Sequence, residues 1–296
     1  MTPTIRRAVL FSCFDAPLAW KDILKRTVHE IADDNCAGLA AQLAFYFLLS
    51  LFPAMLFLVA LAGYLPVEGV LPQLLAALEA VAPLELLTLL RTQLEQIAEG
   101  SHGGLLTLGI LGAVWSSSAA TVAIIDALNT AYDIVDRRPW WKRRIVALML
   151  TIALSLLALL DLALILVGPS VASDLAAWVG LSDLVPAAWA VLRWPLLLLC
   201  ALLGVDLVYH FAPNRRERWS WITPGAVIAT ALWIVSSFGF KLYVTRVADY
   251  GATYGTIGGV IVTMLWFYVS GLAMLVGAEI NAVIEAARRG HADARR

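Results

Sequence analysis

The chain reads as an all-α polytopic membrane protein, a bundle of six spanning helices with both termini on one side. Three observations predict this. Of its 296 residues, 61% are apolar and the mean hydropathy is +0.81. Six apolar stretches, at about 37–65, 104–135, 145–168, 191–212, 219–248 and 256–285, each reach the ~20 residues an α-helix needs to cross a ~30 Å hydrocarbon core. A spanning chain must also satisfy its own backbone polar groups, which favours helices over open strands. Third, 17 of the 21 Lys and Arg residues lie in the four segments that a six-span fold places on one side. The other side is acidic, with Glu68, Glu79, Glu85, Glu95 and Glu99 against Arg91, then Asp174 and Asp183. By the positive-inside rule the termini are cytoplasmic, which puts the chain in a bacterial inner membrane as a multi-pass, N-in/C-in protein.

Residues 1–36 form a cytoplasmic segment without a cleavable signal peptide. Within it, 15–34 is predicted as an amphipathic helix, with Trp20, Ile23, Leu24, Val28 and Ile31 at helical spacing and Asp15 as its cap. Such a helix lies on anionic lipid or packs on the bundle end. The first span contains Ser50 and Pro53; proline removes a backbone bond, so a kink is expected here and the pair forms a candidate hinge. Residues 66–103 read as an outer amphipathic segment punctuated by Pro72 and Pro83, a lid or a leaflet-bound pair of helices. Residues 286–296 are a basic cytoplasmic tail. Cys13 and Cys36 fall on the cytoplasmic side and Cys200 inside the membrane, so no disulfide framework is expected.

Ionisable residues inside spans are costly and by default face the bundle interior. Asp126, Asp206 and Glu279 fall at comparable depth in the cytoplasmic half of spans two, four and six. Asp126, Asn129 and Asp133 share one helical face; Asp206 has Tyr209 and His210 nearby, and Glu279 has Asn281. Together they predict a cytoplasm-facing polar cavity; the competing reading satisfies each acid locally, for instance through Arg143 or Arg215. In the outer half, Asp161 and Lys241 are a candidate charge pair. Gly251, Gly255 and Gly259 have the small-residue spacing of close helix packing, and the hydroxyls of Ser116, Ser117 and Ser118 must in part bond backbone. No metal-ligand spacing, phosphate loop or nucleophile–base set is visible, so no cofactor, no metal and no enzymatic activity are expected. The basic loop 137–144, with Trp140 and Trp141, reads as membrane anchoring rather than a nucleic-acid site.

Several segments in order resemble the YihY/virulence factor BrkB family of inner-membrane proteins. They are Leu43–Pro53, Trp115–Ser118, Ala127–Tyr132, Ala212–Arg215, Pro224–Ala226, Tyr254-Gly255 and Gly277–Asn281. The similarity spans about residues 30–285. It implies six transmembrane helices, links to envelope lipid biology, transport and virulence, and a ribonuclease BN-like label regarded as a misassignment. Its motif positions here are Gln42, Ser50, Pro53, Trp115, Ser117, Asn129, Tyr132, Pro213, Asn214, Pro224, Gly225, Tyr254, Gly255, Gly277, Glu279 and Asn281. The expected function is transport or flipping of a lipid, other amphiphile or ion-coupled solute, with membrane lipids as partners. The alternative is a non-transporting scaffold that meets envelope proteins through the outer segment.

Overall fold

The computed structural model describes residues 19–62, 84, 87, 88, 91, 103–166, 168–179, 184–215, 222–246 and 250–293. Its elements are α1 (Trp20–Asp33), α2 (Cys36–Ala62), α3 (Gly103–Ala131), α4 (Trp140–Leu166), α5 (Gly168–Val179), α6 (Leu184–Phe211), α7 (Pro224–Arg246) and α8 (Tyr250–Asp293). The described residues are thus all-helical. Four of the helices, α4, α6, α7 and α8, are long and apolar enough to cross a membrane. The first two expected stretches fall on α2 and α3, helices of 27 and 29 residues. The outer segment 66–103 lies outside the described residues except for helical positions Leu84, Leu87, Thr88, Arg91 and Gly103.

α8 is the spine. It packs on α7, α2, α1 and α3, while α3 also packs on α2 and α4, and α6 joins α4, α5 and α7. The core gathers at one end of the bundle, around Leu43, Ile125, Leu128, Tyr209 and Leu275, with Ala40, Ala127, Ala147, Ala226 and Ala278 between them. Alanines let backbones approach, the usual means of helix association where lipid is as apolar as the protein. Polar bonds add to this between α7 and α8. Trp233 Nε1 donates to Ser270 Oγ (3.1 Å), and Trp266 Nε1 donates to Ser237 Oγ (3.2 Å).

Several element ends differ from expectation. α1 begins at Trp20 after Ala19, which makes no side-chain cap bond, and the expected cap Asp15 lies outside the described residues. Its Ile23 packs against Ile280, Val283 and Ile284 of α8, whereas Trp20, Leu24 and Val28 stay exposed. The expected apolar stripe is therefore split between bundle and surroundings. α2 runs unbroken through Pro53, and Ser50 Oγ donates to the Phe47 carbonyl (2.9 Å). α3 ends at Ala131, not 135. Asp133 takes a left-handed φ of 54°, with Asp133 N bonded to Thr130 O and Ile134 N to Asn129 O. This is a Schellman ending, with aspartate in the place glycine usually holds. Asp133 consequently leaves the Asp126–Asn129 face. α4 starts at Trp140, which draws Lys142, Arg143 and Arg144 into the helix. α7 starts at Pro224, and Trp219 and Trp221 lie outside the described residues.

Candidate functional site

The polar residues of the bundle fall into three groups at the same charged end. The first joins two loops. Asn129, near the end of α3, donates from Nδ2 to Asp136 (3.2 Å) and accepts at Oδ1 from the Asn214 amide (2.9 Å). Arg138 grips Asp136 through Nε and Nη2, at 2.8–3.1 Å, and reaches the Ala212 carbonyl (2.8 Å). Burial alone would raise the Asp136 carboxyl, but the hydrogen bonds and charge of Arg138 hold it below the usual range. Beside this clamp, Arg215 pairs with Glu285 of α8 and donates to the Tyr209 carbonyl, its guanidinium 4.2 Å from the Tyr132 ring centre. Asn129, Tyr132, Pro213 and Asn214 thus sit where the loops after α3 and α6 meet.

The second group starts α7. Thr223 precedes Pro224, and its Oγ1 accepts from the Ala226 amide (3.2 Å), as an N-cap does. The same hydroxyl donates to Asp206 (2.5 Å), whose carboxylate also accepts from the Thr223 amide. Asn281 of α8 donates to Thr223 Oγ1 (3.0 Å) and accepts from the Gly225 amide (2.8 Å). A buried carboxylate is at home here because the first turn of a helix presents unpaired N–H groups and partial positive charge. Gly225 and Gly277 bring α7 against α8: a Cβ on either would strike the other's carbonyl oxygen. Tyr209 closes the contact, donating to the Met274 carbonyl (2.5 Å).

The third group opens outward. A pocket of about 220 Å³ lies between α1, the turn after α3 and the last turns of α8. Arg26, Glu30, Asp133 and Arg289 stand around it, Val283 and Ala286 supply apolar wall, and Glu279 lines it while only 1% exposed. The Cys36 thiol, first residue of α2, donates to Glu279 Oε1 (3.3 Å). The turn ahead of Cys36 is fixed by Asn35, with φ 49°, whose Oδ1 accepts from the Gly38 amide (3.3 Å).

The three carboxylates expected to share a cavity therefore have separate settings. Asp126 accepts from Arg143 (2.7 Å), with both side chains about a third or more exposed. Asp206 belongs to the α7 cap, and Glu279 alone of the three lines the pocket. Asp161 and Lys241 do not form an ion pair; the Cys200 thiol of α6 lies beside Asp161 instead. Ser118 bonds backbone, donating to the Trp115 carbonyl (2.7 Å). That carbonyl also accepts from Arg144 (2.9 Å), whose guanidinium lies 4.0 Å from the Trp115 ring centre. The side chains of Ser117, Pro53, Tyr254 and Gly255 lie outside the described residues. Among the described residues, no group of three or more His, Cys, Asp or Glu is arranged to hold a metal ion.

Sequence reasoning missed Cys36, Thr223, Asp136 and Arg138 as parts of these groups. Thr223 was within reach, since a threonine directly before a proline and an apolar helix is an N-cap signal. Cys36 meets a residue 243 positions away, which no local pattern reveals.

Comparison with known proteins now places the chain. It is 39% identical over 265 residues to a "putative ribonuclease-like protein YfkH" of Bacillus subtilis, covering 89% of this chain and 94% of that one. It is 26% identical to a UPF0761 membrane protein of Ralstonia nicotianae, covering 88% of this chain and 58% of that one. A UPF0761 membrane protein of Tolumonas auensis is 30% identical over 181 residues, 60% of this chain and 57% of that one. No solved structure matches. The family model described as virulence factor BrkB matches residues 27–296, and the chain belongs to that family of membrane proteins.

Proposed function

We propose that this protein is a six-span inner-membrane transporter or flippase, both termini cytoplasmic, that moves a lipid or other amphiphile. The observation that carries the reading is the pocket at the charged end, floored by Glu279 and flanked by Arg26 and Arg289. Its arginines suit an anionic head group, and its apolar wall suits the start of a chain. In this reading α2 and α3 span with the other four helices, Ser50 and Pro53 let α2 bend, and the outer segment contacts the leaflet or envelope proteins. The ribonuclease-like name stays with the Bacillus relative; the pocket offers no arrangement that would extend it to this chain.

Reconstituted vesicles carrying a head-group-labelled fluorescent phospholipid test this. Transport predicts lipid exchange between leaflets above that of protein-free vesicles, reduced in Arg26→Gln/Arg289→Gln. Exchange at the protein-free level, for anionic and zwitterionic labels alike, removes the lipid-flipping reading. A second reading, a non-transporting scaffold, draws support from Asp126 and Asp206, both satisfied by neighbouring residues rather than open to a shared cavity. Single cysteines at Ala282 and Ala286, in a background without Cys13, Cys36 and Cys200, separate the two. A scaffold predicts labelling unaffected by lipid composition, and a transporter predicts labelling that lipid suppresses.

A further inference from the structure

α1 shows four different sides around its axis. At about 3.6 residues per turn, Trp20, Leu24 and Val28 fall within about 80° of one another, and all three are exposed. Ile23 and Thr27 occupy the next side; both are 1% exposed, and Ile23 packs on Ile280, Val283 and Ile284 of α8. Arg26 and Glu30 follow, lining the pocket. Lys21 and Lys25, both exposed, stand on the side away from Ile23. We propose that the exposed flank of α1 is a docking surface for anionic lipid, with Trp20, Leu24 and Val28 entering the bilayer and Lys21 and Lys25 at the phosphates.

The order of charges around the helix selects this partner. From the middle of the apolar stripe, Lys21 and Lys25 stand about 60° and 100° away, whereas Asp22 and Asp33 stand about 160–180° away. A helix lying flat on lipid needs that order: ammonium groups next to the buried stripe reach the phosphates along their own stems, and acids turn to water. The contact with α8 leaves room for it, because Ile23 and Thr27 seat the helix from the side and not through the stripe. No acid among the described residues holds Lys21 or Lys25, while His29 on the water side has Asp33 at 3.3 Å.

Depth agrees with charge. α1 joins α2 through the two residues Asp34 and Asn35, so it lies at the level where α2 begins. At the same end, α4 starts with exposed Trp140 and Trp141, and Lys142 Nζ lies 5.3 Å from the Trp141 ring centre. An exposed tryptophan followed directly by lysine thus occurs twice, at Trp20-Lys21 and Trp141-Lys142. Indole and ammonium together suit the head-group level. The docking asks nothing of the transport reading, although α1 carries the lipid flank and one wall of the pocket on a single helix of 14 residues.

Spin labels on the full chain in vesicles read how deep each side sits. With Cys13, Cys36 and Cys200 replaced by alanine, labels at Leu24→Cys and Val28→Cys should meet lipid-soluble oxygen and avoid a water-soluble nickel chelate. A label at Asp22→Cys should do the reverse. Adding phosphatidylglycerol to phosphatidylcholine vesicles should deepen the Leu24→Cys label, and Lys21→Gln/Lys25→Gln should lose that response. The proposal is overturned by a Leu24→Cys label open to nickel in both vesicles, or by one whose depth ignores phosphatidylglycerol. A label closed to both reagents overturns it too, since a second copy or another segment of the chain would then cover the stripe. Should the cysteine-free chain fail to fold, Trp20→Phe in the otherwise unaltered chain carries the test. Brominated phosphatidylglycerol should quench a part of the tryptophan emission that this variant lacks, and equal quenching of the two chains overturns the docking. Because no lipid flux is measured, failure here leaves the transport reading standing, and failure of flux leaves this surface standing.

Discussion

The charged end of the bundle and the outward turns of α4 and α6 share an apolar composition but are built in opposite ways. At the charged end, Leu128, Tyr209, Leu275 and a set of alanines are buried, and Asn129, Asp136 and Arg138 in one clamp and Asp206, Thr223 and Asn281 in another bond one another. Farther along the same helices, Met149, Leu156 and Leu160 of α4 and Val191, Trp194 and Leu198 of α6 face outward. In water such a surface would be an aggregation hazard; against acyl chains it costs nothing, since lipid is as apolar as leucine. The difference teaches where specificity resides. Hydrophobicity keeps the helices in place, and the polar clamps decide how they are arranged.

The comparison can be broken most sharply at Arg138. Its side chain and that of Asp136 are 14% and 10% exposed. Arg138→Met leaves a nearly buried carboxylate uncompensated, which is expected to cost about 3–5 kcal/mol. Thermal unfolding in detergent measures it, and a loss within experimental error would mean the loops are not clamped by this pair. Next comes Gly277→Ala, whose new methyl would meet the Gly225 carbonyl, the Tyr209 hydroxyl and Ala229. Separation of α7 from α8 is expected to cost about 1–3 kcal/mol, read in the same melt.

Acid offers a third way to sharpen the contrast. The Asp136 carboxyl is held low, so the unfolded chain binds its proton first, and the contribution of Asp136 is lost as pH falls below the ordinary carboxylate range. The Asp34 carboxyl is pushed up, so the folded chain binds that proton first, and its contribution rises as pH falls toward that range. Melting temperature should therefore rise slightly on mild acidification and then drop. Asp34→Asn should lessen the rise and leave the drop. The smallest effect is expected at Leu156→Ala on the lipid-facing surface of α4, within about 0.5 kcal/mol. A loss as large as that at Gly277 would show that this surface is covered by protein rather than lipid.

The positions of the long helices were legible because hydropathy integrates over some twenty residues and tolerates local error. Their ends were not. Asp133 stops α3 through a backbone conformation that no periodicity announces, and with it the expected Asp126–Asn129–Asp133 face dissolves. Burial of Asp206, Glu279 and Asn281 was anticipated from the price of leaving them in lipid, but not their partners. Thr223 for Asp206 and Cys36 for Glu279 arrive from other helices, through tertiary contact. The family motifs at Gly225 and Gly277 become intelligible only once two backbones are seen to cross there.

α8 has 44 residues, a length of about 66 Å at 1.5 Å per residue, against a hydrocarbon core of about 30 Å. Its contact with α7 at Gly277 divides it into arms of about 40 Å toward Tyr250 and about 24 Å toward Asp293. Were α8 to tilt as a rod about that crossing, sideways travel at the Tyr250 end would arrive at the Asp293 end reversed and reduced to about three-fifths, the ratio of those two arms. Glu279, two residues from the crossing, would barely travel, while Arg289 on the short arm would move further and α1 would go with it through Ile23.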